Sequence, residues 1–218
     1  MRTFPTIFLI AALLPIHWLP AQNQNPAPSP TPVGATAGDA ILALWLHTAC
    51  TNEIALAGLA VKQSKDVEVR AFAQKMVDEH TAFAARLQPF TVALAPAGKV
   101  EPSGKPAPRD ASAPRLRASA DTFDHAALIR DLGARCLASE SQILTSKPAA
   151  DFDRCFMTMQ IAAHVKGIDM LTVFRAHASP SLVATIDEGL KTYGAHHTHA
   201  VDVQKKLGDG TAEARTGR

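Results

Sequence analysis

The chain has 218 residues, 47% hydrophobic and 19% charged, with a formal charge of +2 and one tyrosine, Tyr193. This is enough apolar material for one domain with a real core and too much for a disordered chain. The near-neutral charge and few aromatic residues argue against nucleic-acid binding, which needs a basic surface and rings on which bases stack.

Residues 1–21 have the make-up of a secretory signal peptide. Arg2 supplies the positive start, Ile7 to Leu14 (IFLIAALL) the apolar stretch, and Pro20-Ala21 a small residue for cleavage. The run is shorter than the ~20 apolar residues that cross a bilayer. The expectation is therefore a cleaved leader, no integral membrane span afterwards, and a periplasmic or exported protein. No cysteine lies near the cut, so a lipoprotein anchor is not expected. Export would place Cys50, Cys136 and Cys155 in an oxidising compartment. Three cysteines allow at most one internal bridge. Cys136–Cys155 is the favoured pair, with a wholly reduced set as the alternative. The absence of C-x-x-C argues against a redox motif or a zinc ribbon.

Residues 22–38 are rich in Pro, Ala, Asn and Gln and read as a mobile linker. A bundle domain is expected over 39–207. The first helix, about 39–63, shows an apolar seam at Leu42, Leu46, Ala49, Leu56 and Ala60. Asp66 can cap a second helix, about 67–88, with the seam Val69, Phe72, Met76, Phe83 and Leu87. A Pro-rich crossover then occupies about 89–124, its charges read as solvated, and an accessory helix about 125–145. A helix at about 152–177 has the seam Met157, Ile161, Ile168, Leu171 and Phe174. Ser179-Pro180 opens the last helix, to about 207, with the seam Leu182, Ile186, Tyr193, Ala200, Val203 and Leu207. Residues 208–218 read as a frayed tail. Two tight hairpins joined by a long crossover predict an all-α, ferritin-like antiparallel four-helix bundle.

Each main helix carries one titratable residue where its seam calls for an apolar one: Glu53, His80, His164 and His196. A buried polar group costs about 1–3 kcal/mol when unpaired, so four of them favour meeting one another. Helical rise puts Glu53 and His80 within about one turn, and likewise His164 and His196. The register between the two hairpins is not set by the sequence. Three imidazoles and a carboxylate suit a transition metal such as Zn, Cu or Fe. The bland alternative is a buried polar network. No Glu-x-x-His occurs, so a ferritin-type di-iron centre is not expected. Asp78 and Glu79 could orient His80 from a neighbouring face, but read first as exposed residues. His197 and His199 read as surface residues, and the methionines as core filler. No nucleophile with an adjacent base and no phosphate-cradling glycine loop is present.

Asn52 to Ala60 (NEIALAGLA), Asp66 to His80 (DVEVRAFAQKMVDEH), Asp151 to Phe156 (DFDRCF), Gln160 to His164 (QIAAH) and, more loosely, Leu190 to His196 carry a resemblance. They resemble the bacterial family called domain of unknown function 4142. The resemblance implies an exported protein, often labelled outer-membrane or periplasmic, with a ferritin-like bundle. It also implies that Glu53, His80, His164 and His196 belong together. It implies no activity. The chain departs from the family pattern in its longer, Pro-rich crossover and in Glu79, where Asp is commoner. The expected function is a non-enzymatic envelope bundle that binds a transition metal or serves stress protection. The alternative is an envelope structural or interaction module whose cluster only fixes helix register.

Overall fold

The computed structural model describes residues 31–94 and 124–216, with the backbone alone at 93 and 209–216. The expected signal peptide, most of the linker and most of the crossover lie outside the described residues. The elements are α1 (Ala37–Gln63), α2 (Val67–Thr91), a 3-10 turn (Val92–Leu94), α3 (His125–Thr145), α4 (Ala149–His177) and α5 (Pro180–Thr216). The chain is thus all-α, with four main helices bundled as two hairpins and α3 added.

Two polar contacts fix the helix directions. The Ser179 N–H donates to Asp39 Oδ1 at 2.9 Å, which puts the α4–α5 turn beside the start of α1. At the other end, Lys206 of α5 donates to both Glu68 oxygens at the start of α2, at 3.0 and 2.8 Å. So α1 and α5 run one way, and α2 and α4 the other. Because α1 packs on α2 and α4, and α5 packs on the same two, every neighbouring pair of main helices is antiparallel.

The position of α3 follows from the composition of α1. Residues 40–46 (AILALWL) are apolar all round, and such a helix needs cover on more than one side. By length and composition α1 could even cross a membrane. Here Ala43, Leu46 and Cys50 enter the bundle core, while Ile41, Leu44 and Trp45 pack against Ala126 and Ile129 of α3. The other end of α3 places Leu144 among Ala57, Ala60 and Phe152. The helix expected as an accessory cover therefore runs beside α1 along the bundle, and itself carries the chain from one end to the other.

The starts of α1 and α2 are capped by side chains. Thr36 Oγ1 accepts the Asp39 N–H at 3.1 Å, and Asp39 Oδ2 accepts the Thr36 N–H at 2.7 Å, a reciprocal box. Asp66 Oδ1 accepts from the Glu68 and Val69 N–H groups at 2.8 and 3.0 Å. We expect Thr36→Ala to cost about 1 kcal/mol, lowering Tm by roughly 2–4 °C in a thermal melt. No change would mean that Asp39 holds this helix start without the threonine.

Several boundaries differ from expectation. α2 continues through Pro89 to Thr91, because a proline in the last turn removes only one backbone bond. α5 passes through Gly208 and Gly210 to Thr216, where a frayed tail was expected. All three cysteines are free, which corrects the Cys136–Cys155 pairing. Cys136 faces a cleft against α1, and the Cys155 thiol contacts Met159 Sδ at 3.9 Å.

Candidate metal centre

The bundle interior has two apolar clusters. One contains Phe72, Met76, Phe156, Met157 and Ala200, the other Leu46, Phe83, Leu171, Ile186 and Tyr193. His80 lies between Met76 and Phe83 on α2, His164 between Met157 and Leu171 on α4, and His196 between Tyr193 and Ala200 on α5. The three histidines form a polar layer between the clusters, each 0% exposed. Their ring centroids are 5.6 Å (His80–His164), 5.2 Å (His80–His196) and 5.4 Å (His164–His196) apart. One nitrogen from each ring lies within 4.8 Å of the other two.

Hydrogen bonds set two of the tautomers. His164 Nδ1 lies 2.7 Å from the Gln160 carbonyl, which can only accept, so Nδ1 carries the proton and Nε2 a lone pair. His196 Nε2 lies 2.7 Å from Glu79 Oε2, a carboxylate, so Nε2 carries the proton and Nδ1 the lone pair. Those two lone-pair nitrogens and both nitrogens of His80 are buried without a partner. Among the described residues, seven buried side-chain atoms lack a partner, and these rings hold four of them. The polar deficit of the fold is thus concentrated in one layer.

The electrostatics keep the rings neutral. Burial, then the neighbouring His164 and His196, push His80 down to about 2. Burial lowers His164 to about 4 against the Gln160 hydrogen bond, and lowers His196 against the Glu79 carboxylate. Neutral imidazole is the form that ligates a metal. Tetrahedral Zn–N bonds of about 2.0–2.1 Å need nitrogens about 3.4 Å apart, so nitrogens that lie within 4.8 Å of one another would have to close in by about 1.4 Å at most. The carboxylate behind His196 and the carbonyl behind His164 are the outer partners that orient imidazole ligands.

Glu53, expected in the same set, is not part of it. Its Oε2 accepts the Gln160 side-chain N–H at 2.8 Å, and Gln160 in turn accepts His164 through its main-chain carbonyl. The reason is steric: α5 sends Tyr193 across the centre, its hydroxyl 3.5 Å from Cys50 Sγ, and this fills the α1 side of the layer. The Tyr193 ring packs on His80 and His164, with centroids 5.0 and 5.2 Å away. Burial pushes the Cys50 thiol up to about 12 and the Tyr193 phenol well above its usual value, so both stay protonated. Burial, reinforced by Glu140 and opposed by the Gln160 hydrogen bond, raises Glu53 to about 7.

Glu79, whose place in the sequence reads as exposed or as orienting His80, meets His196 across the helix pair. Gln160 went unnoticed, although its place four residues before His164 puts both on one helix face. His199 packs its ring on Phe72, 5.2 Å between centroids, and stays outside the cluster.

Fold and site define an all-α bundle with a buried histidine layer. Residues 23–129 match the model of a family described as Domain of unknown function (DUF4142), and over that stretch the chain belongs to it. The matched stretch holds α1, α2 and His80, while His164 and His196 lie beyond it. No curated protein and no solved structure is significantly similar to the chain.

Proposed function

We propose that this protein is an exported, non-enzymatic ferritin-like bundle that binds one transition-metal ion through His80, His164 and His196. The observation that carries the proposal is the set of four unpartnered ring nitrogens in a layer with no exposure to water. Left empty, each such group costs about 1–3 kcal/mol, and a bound cation would satisfy the lone pairs together. Two hairpins joined by one long crossover support the ferritin-like reading, and the make-up of residues 1–21 supports export. Holding a reactive ion inside a closed core is how such a bundle would protect the envelope under stress. Zn, Cu and Fe all accept imidazole.

The test is metal analysis of tag-free protein, followed by calorimetric titration of the chelated protein with Zn²⁺ and with copper and iron salts. We expect one ion per chain, and no uptake by His164→Ala. A native chain that takes up none of these ions would overturn the proposal. The layer would then serve only to fix helix level, as in an envelope structural or interaction module.

A further inference from the structure

A cleft of about 170 Å³ opens between α1, α3 and α4, with Tyr193 of α5 as part of its wall. Glycines allow close approach at two places in its wall. A Cβ at Gly133 would lie 2.2 Å from Thr48 Cγ2, and the Gly133 carbonyl accepts the Asn52 side-chain N–H at 2.9 Å. A Cβ at Gly167 would lie 2.3 Å from Tyr193 Cε1, so the ring is seated directly on that glycine. The ring that packs on His80 and His164 thus also borders the cleft, and the histidines themselves do not line it.

Glu53 borders this space. Its Oε2 is held by Gln160 at 2.8 Å, while Oε1 has no partner among the described residues. Around it the wall is largely apolar or aromatic, including Trp45, Leu132 and Met170. Glu140 and Lys166 also line the cleft and carry opposite charges, which leaves Glu53 as its uncompensated group. A carboxylate with one open oxygen in an apolar chamber is matched by a cation with an apolar body. A hard divalent ion is a poor match, since Ca²⁺ takes about six to eight oxygens and Mg²⁺ about six. Aromatic residues such as Trp45 and Tyr193 in the wall pack the carbon skeleton of an organic cation, and a ring face turned to it attracts its charge. The size agrees, since an apolar cavity of about 150 Å³ accepts a benzene ring.

We propose that this cleft binds a small primary ammonium ion on a single ring or short alkyl body, with the Glu53 carboxylate as its counter-ion and Trp45 and Tyr193 as its walls. The proposal does not depend on metal binding. The test uses the full chain in chelator, with benzylamine as probe and benzyl alcohol as its neutral counterpart, read by calorimetry and by NMR of the ligand. Benzylamine is expected to bind at one site and benzyl alcohol roughly tenfold or more weakly, about the value of one charge-assisted hydrogen bond. Glu53→Gln, which keeps an acceptor for Gln160, should remove that difference. Ala163→Phe, which fills the cleft without changing charge, should block both ligands. His164→Ala, which should take up no ion in the metal titration, should still bind the amine in chelator, so the two sites fail separately. No benzylamine binding, equal binding of the alcohol, or binding unchanged by Ala163→Phe would each overturn the proposal.

Discussion

With metal removed by chelator, the His80→Leu variant is expected to melt above the native chain, by roughly 4 °C or more. His80 is 0% exposed, and neither of its ring nitrogens has a partner. Replacing it with an apolar residue of similar bulk removes two unsatisfied groups at about 1–3 kcal/mol each. In a chain of this length each kcal/mol moves Tm by about 2–4 °C. The neighbours can receive a leucine: Tyr193 presents its ring, and Phe83 and Met76 lie one turn away on the same helix. Zn²⁺ should reverse the order. At a free concentration about a thousand times Kd, the native chain gains about 4 kcal/mol, and the variant, lacking a ligand, gains none. Scanning calorimetry of both proteins, with chelator and with Zn²⁺, reads the crossing directly. A variant that melts lower under both conditions would show that His80 is already satisfied in the metal-free fold, which would remove the reason to place an ion there.

The sequence displays the inner face of α2 because that helix is apolar on one side only. Val69, Phe72, Met76, Phe83 and Leu87 are all buried as its spacing predicts, and His80 falls among them. α5 is nearly as legible, for the same reason. α1 is not, because it is apolar all round. The spacing allows Leu42 and Ala49 as seam positions, whereas Ala43 and Cys50 are the residues that enter the core. That offset is part of why Glu53 leaves the histidine layer: with Cys50 facing Tyr193, the next seam position reaches toward Gln160 on α4. On α4 the inner face includes Gln160 and Gly167, which an apolar pattern cannot reveal. The common level of the two hairpins was hidden for another reason. It depends on Asp39 gripping the Ser179 N–H and on α3 packing along α1, and both are contacts between segments distant in sequence.

Acid should destabilise the metal-free protein, beginning near the ordinary pKa of histidine. The unfolded chain takes up protons on its histidines as pH falls through about 6.5. Folded His80 and His164 cannot follow, since burial and their neighbours hold them at about 2 and about 4. Their stabilising contribution is therefore complete above about 6.5 and is lost as pH falls toward the folded values. His196 is lowered as well and acts in the same direction, as does half-buried His47. Glu53 opposes them. Its pKa is raised to about 7, so the folded chain binds its proton before the unfolded chain does, and its contribution is present at low pH and lost as pH rises toward 7. Glu140 is raised too and adds to this opposition, reduced by its partial exposure to solvent. Between about pH 6 and 5 two histidines outweigh one glutamate, and these groups leave the unfolded state with roughly half a proton to one proton more. Stability should then fall by on the order of 1 kcal/mol per pH unit. Urea melts in chelator at pH 7.5, 6 and 5 measure the slope, with His80→Leu expected to flatten it and Glu53→Gln to steepen it. A slope that is flat or reversed in the native chain would mean that the folded histidines accept protons, and a layer that accepts protons has no need of a metal ion.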